Sequence, residues 1–153
     1  MSTITNDQQL RQALTALSLE QQRSLGVQFA ANIRLPKIGD SELSRVLVSA
    51  SQSGNDSRTQ EFAYQSAKSI ATRTFTACGN DADWQLQAEH FVAASCAAAL
   101  TPEGLLAQGS NPAWKAAIQA RMARNCLMMD DASGDIDNES QNQYRITEKF
   151  LSG

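Results

Sequence analysis

Apolar residues recur along this chain at steps of three and four, the period of a helix with one buried face. Leu10, Leu14 and Leu17 mark a first helix over Asp7 to Leu17. Ser18 opens a second, with Gln21 three residues on as in a capping box. Leu25, Phe29 and Ile33 line one face of that helix, and Pro36 stops it. Gly39-Asp40-Ser41 starts a third helix with Leu43, Val46, Leu47 and Ala50 inward, ending at Gly54. Ser57 and Gln60 form another box-like start. The fourth helix then carries Phe62, Ala63, Ala67, Ile70, Ala71 and Phe75 on a broad apolar face and ends near Cys78, with Gly79 as its cap.

The fifth helix, residues 82–100, breaks this pattern. Trp84, Ala88, Phe91, Val92, Ser95 and Ala99 form one stripe, and Ala93, Ala94, Cys96, Ala97 and Ala98 make the other side apolar too. A helix apolar nearly all round is a buried one. Leucine at Ala94 or Ala97 is therefore expected to overpack the interior, at about 1–3 kcal/mol. Thr101-Pro102 starts one or two turns from Glu103 to Gln108, and Asn111-Pro112 opens a sixth long helix to about Met129. The acidic stretch from Asp130 to Glu139 leads into a last helix, about Asn138 to Leu151, packing Tyr144, Thr147, Phe150 and Leu151. No segment alternates with the period of two that marks a half-buried strand. The expected fold is all-α: one domain over residues 1–153, a single bundle of six or seven helices around a buried Ala-rich central helix, residues 82–100.

Composition sharpens this picture. Alanine fills 23 of the 153 positions, against nine aromatics, so helix axes can approach closely. Trp84 and Cys96 are spaced as Trp114 and Cys126 are, with Ala93 and Ala123 at the same offset. Helical periodicity by itself produces such an echo, and a solenoid needs about three units or more. The net charge is −3, and the nine arginines and four lysines are scattered. That disfavours nucleic acid, which asks for a dense basic stripe. The longest apolar run, Phe91 to Leu100, falls far short of the ~20 residues that span a membrane. The polar start, Met1 to Asp7, lacks a signal peptide's basic and apolar regions, and a cytoplasmic location is expected.

Candidate chemistry is sparse. Cys78, Cys96 and Cys126 are an odd, dispersed set, read as reduced thiols, with Cys96 inert within its Ala-rich run. Cys126, Met128 and Met129 are soft ligands, but Cys126 and Met128 point ~200° apart on a helix. The stretch Asp131 to Asn142 lacks the Gly and Glu of an EF-hand loop, so neither a metal nor a cofactor is expected. His90 is the only histidine, suited to general base work at neutral pH. Arg121 and Arg124 share a helix face and can bind an anion or pair with the protein's own acids.

A helix ending in Phe29-Ala30-Ala31-Asn32-Ile33-Arg34-Leu35-Pro36 is followed by a short helix, Ser41 to Ser53, a polar-faced helix, and one containing His90-Phe91-Val92-Ala93-Ala94-Ser95-Cys96-Ala97-Ala98. Over residues 18–100 this resembles a family of small all-helical bacterial immunity proteins. The resemblance implies a non-enzymatic module, immunity-like or adaptor, that binds another protein, and it brings no catalytic residues. The acids Asp130, Asp131, Asp135, Asp137 and Glu139 are then the candidate partner surface, a mobile and strongly negative stretch. The alternative is a small helical enzyme or ligand binder with a pocket near His90 and the pair Arg121 and Arg124.

Overall fold

The computed structural model describes residues 3–35, 42–52, 56–76, 84–130 and 138–153, with the side chains of residues 75, 76 and 130 left aside. Among these the chain forms seven α-helices and one 3-10 turn, and no strand. The helices are α1 (Asp7–Thr15), α2 (Leu19–Ala31), α3 (Glu42–Gln52), α4 (Ser57–Thr76), α5 (Trp84–Ala99), α6 (Pro112–Asp130) and α7 (Glu139–Ser152). The turn, Glu103–Leu105, links α5 to α6.

Local chemistry explains most of the helix starts. Asn6 caps α1 by accepting from the Gln9 amide. Ser18 and Gln21 make the full reciprocal capping box of α2, and Asn138 accepts from the Gln141 amide at the head of α7. The start of α4 differs from expectation. Asp56, one residue earlier than Ser57, caps it, with its Oδ1 accepting from the amides of Arg58 at 3.1 Å and Thr59 at 3.4 Å. The second helix stops at Ala31, short of Pro36, and the side chain of its C-cap, Asn32, makes a tertiary contact described below. The expected caps of the third helix and the Cys78-Gly79-Asn80-Asp81 junction lie outside the described residues.

The central position of α5 holds. It packs against α2, α3, α4 and α6, and Ala88, Val92, Ala93, Ser95, Cys96 and Ala99 on it are fully buried. The facing side of α6 is also alanine: Ala113, Ala116, Ala117, Ala120 and Ala123 are without exposure. Side chains this small bring α5, α6 and α2 into close contact. Ser95 sits at that contact and donates from Oγ to the Ala116 carbonyl at 2.7 Å, which satisfies its buried hydroxyl. The Trp/Cys echo reduces to core-facing positions on two helices: Ala93, Ala123, Cys96 and Cys126 are all buried. Burial also pushes the Cys96 thiol up to about 12, which makes it unreactive.

Two expected core residues are outside. Phe62 is 70% exposed, since the α4 face that meets the core is Ala63, Ala67 and Ile70, and Leu151 is 51% exposed at the chain end. Conversely, Gln143 of α7 is fully buried although polar. Its Nε2 donates to the Ala117 carbonyl at 2.9 Å and its Oε1 accepts from Arg121 at 2.8 Å, so both ends are satisfied.

Candidate functional site: a groove on the central helix

Of the predicted site residues, the two arginines are engaged in holding the fold. Arg121 makes a bidentate pair with Asp7, at 2.8 and 2.9 Å, while its Nε donates to Gln143. Tyr144 donates its hydroxyl to the same Asp7 carboxylate at 2.8 Å. Arg11 and Arg121 both lie over the Trp114 ring, 5.1 and 5.3 Å from its centroid. The cluster fastens α1 to α6 and α7. The short α1 has a second tether just before it, where the Ile4 amide donates to Glu148 at 2.6 Å.

This cluster makes stability depend on pH. The hydrogen bond from Arg121 holds the Asp7 carboxyl below its ordinary value; partial burial opposes this, and Tyr144 and Arg11 reinforce it. A depressed carboxyl contributes stability above the unfolded value, near 3.9, which is lost as pH falls through the folded value. Asp7→Asn is thus expected to flatten the acid limb of stability measured by urea melts below pH ~4. An unchanged acid limb in that variant would show that Asp7 contributes nothing to it.

Arg124 reaches a different acid. Glu139, expected in a mobile acidic stretch, is instead the first residue of α7 and only 4% exposed. Its carboxylate accepts from Asn32 Nδ2 at 3.0 Å and from Asn142 Nδ2 at 2.9 Å, and stands 3.4 Å from Arg124 Nε. Asn32 is the C-cap of α2, so one carboxylate ties α2, α6 and α7 together. Burial removes Glu139 from any partner surface. Asp130 ends α6, and Asp131, Asp135 and Asp137 lie outside the described residues.

His90 stands apart from both arginines, so the expected three-residue pocket is not assembled. Its Nδ1 lies 2.7 Å from the Ala71 carbonyl oxygen. A carbonyl only accepts, so Nδ1 carries the proton. The ring meets Phe91 edge-on, with centroids 5.0 Å apart.

His90 does open onto a groove of about 490 Å3. Tyr64, Lys68, Ala71 and Thr72 of α4 form one wall, spaced i, i+4, i+7 and i+8. His90, Ala94, Ala97 and Ala98 of α5 follow the same spacing and form the floor. Thr101 continues the floor beyond α5, and Lys115 of α6 lines the side opposite α4. Ala94, Ala97 and Ala98 are each half-buried, unlike the neighbouring Ala93 and Ala99, which are without exposure. The walls carry two cations: Lys68 on the α4 side, 5.7 Å from the Tyr64 ring centroid, and Lys115 on the α6 side. Among the described residues neither lysine is paired with a carboxylate.

The groove corrects the overpacking expectation. Leucine at Ala94 or Ala97 extends into open space, so Ala97→Leu is expected to change stability by no more than about 0.5 kcal/mol. The same change at Ala93 is expected to cost about 1–3 kcal/mol. Equal losses in urea melts would place Ala97 in the sealed interior. A second hollow, about 400 Å3, lies between the end of α2 and α3, lined by Ile33, Leu35, Leu43 and Leu47 among others.

Sequence reasoning placed a pocket near His90 but missed its floor of Ala94, Ala97 and Ala98, because the pattern on α5 is nearly symmetric. Apolarity on every side reads as burial on every side, whether or not the chain itself supplies the last cover. Among the described residues there is no cluster of His, Cys, Asp and Glu suited to a metal, and no helix is long and apolar enough to cross a membrane. Compared with known protein families, with curated proteins and with solved structures, the chain matches none.

Proposed function

We propose that this chain is a non-enzymatic protein-binding module, immunity-like or adaptor, which docks its partner along the groove between α4 and α5. One observation carries the reading: a central helix that is apolar nearly all round leaves one stripe, Ala94, Ala97 and Ala98, only partly buried. An exposed apolar strip rimmed by polar groups is a common form of interaction surface. The resemblance over residues 18–100 to small helical immunity proteins supports the same class. Glu139 takes no part in the docking surface, since it is held inside the fold. The ligand-binding alternative retains His90 on the groove wall but loses both arginines to Asp7 and Glu139.

Affinity capture from the source organism, with the wild type and with Ala97→Glu side by side, tests this. Ala97→Glu places bulk and charge in the groove without disturbing buried neighbours, so its melting temperature should match the wild type. A protein captured by the wild type and lost with Ala97→Glu is the expected result. Identical captures by both would overturn the reading.

A further inference from the structure

We infer that the occupant of the groove is an acidic amphipathic helix of a partner protein, with carboxylates on both sides of a stripe of small or aliphatic residues. This rests on the groove being the docking surface. Three observations select such a helix.

The floor is a helical stripe of alanines at i, i+3 and i+4, flanked by His90 and Thr101. Alanine on the floor lets a second helix axis come near the short end of the ~8–10 Å packing range. An extended peptide would need backbone hydrogen bonds, and the wall helices already use theirs internally. The stripe from His90 to Thr101 spans eleven residues of rise, about 16 Å, or three turns of a docked helix.

Charge selects the flanks. Lys68 approaches from α4 and Lys115 from α6, so the apolar stripe has a cation on each side. Three arginines elsewhere on the described surface meet acids: Arg73 with Glu42, Arg121 with Asp7, Arg124 with Glu139. On a chain of net charge −3, two lysines unpaired among the described residues and placed on either side of one apolar strip are complementary to carboxylates at the two edges of a partner helix.

The test uses a phage-displayed library of helical peptides about 16 residues long, with one face held as Ala and Leu and the flanking positions randomised, selected against the full chain. Selected peptides should be enriched in Asp and Glu at the flanks. In fluorescence anisotropy their affinity for Lys68→Glu/Lys115→Glu should fall about tenfold, and it should weaken as salt rises. Ala97→Glu should weaken binding by more than the lysine pair does. Enriched peptides without acids that still lose binding to Ala97→Glu would overturn the acidic helix and leave the docking surface standing. Peptides that bind Ala97→Glu as well as wild type, or no enrichment at all, would overturn both. Sedimentation gives the remaining outcome: a wild-type dimer made monomeric by Ala97→Glu would assign the groove to a second copy instead.

Discussion

Gly26→Val is expected to destabilise the protein by about 3 kcal/mol or more, and Gly26→Ala by about 1–2 kcal/mol. Gly26 is buried on α2 where that helix crosses α5 and α6. A Cβ added there would stand 2.7 Å from the Cβ of Ala99, 3.2 Å from that of Ala116 and 3.3 Å from the Ala99 Cα. None of these atoms is the end of a flexible side chain. Relief therefore requires whole helices to move apart, which loosens the alanine contacts around them. Two effects oppose each other in Gly26→Ala. Alanine favours the helix by about 0.8–1 kcal/mol over glycine. The steric term exceeds it because two helices press on the same point. In urea melts Gly104→Ala is the control, since nothing lies within 4 Å of a Cβ there. Ala99→Gly should partly rescue Gly26→Ala, so the double variant loses less than the sum of the singles. Strict additivity, or a stabilising Gly26→Ala, would show that the three helices are not in the contact described.

The second large effect is at Glu139. Glu139→Ala is expected to cost about 3–5 kcal/mol, because it removes a buried carboxylate shared by a largely buried arginine and two amide donors. The Arg124 side chain is 18% exposed and the Glu139 side chain 3%. At 3.4 Å their contact is an ion pair rather than a directed hydrogen bond, so the asparagine contacts at 2.9 and 3.0 Å fix the carboxylate in place. Glu139 also lies in the first turn of α7, where the helix dipole favours an acid. Glu139→Gln keeps an acceptor for Asn32 and Asn142 and loses the charge, so its loss should be smaller, about 1–2 kcal/mol. Arg124→Met/Glu139→Leu should recover much of the loss of Glu139→Ala, since removing both charges leaves neither stranded. Thermal and urea melts of the four proteins decide it. A Glu139→Ala variant within about 0.5 kcal/mol of wild type would return this residue to the surface, where the sequence alone had placed it.

What the order of residues determines here is local. The capping groups Asn6, Ser18 with Gln21, and Asn138 act within one turn of their own helices, each on a partner three residues away, and the Ser18 box was read from that spacing. The all-helical class follows for the same reason: periodicity of three and four is a property of the chain, and the α5 pattern put that helix at the centre. The tertiary structure decided everything that joins distant positions. Asp7 meets Arg121 across 114 residues and Asn32 meets Glu139 across 107. No spacing rule marks which acid each arginine will take, so a candidate anion site became two structural ion pairs. Glu139 shared a run of acids that read as solvated, yet lies at the one step where a helix begins and turns it inward. The alanine floor of the groove was hidden by the opposite problem. Alanines facing α6 and alanines facing open space have the same hydropathy, and only the positions of α4 and α6 separate Ala93 from Ala94. Helix formation depends on neighbours in sequence, whereas burial depends on what arrives from elsewhere, and the docking stripe is set by the cover that the chain does not supply.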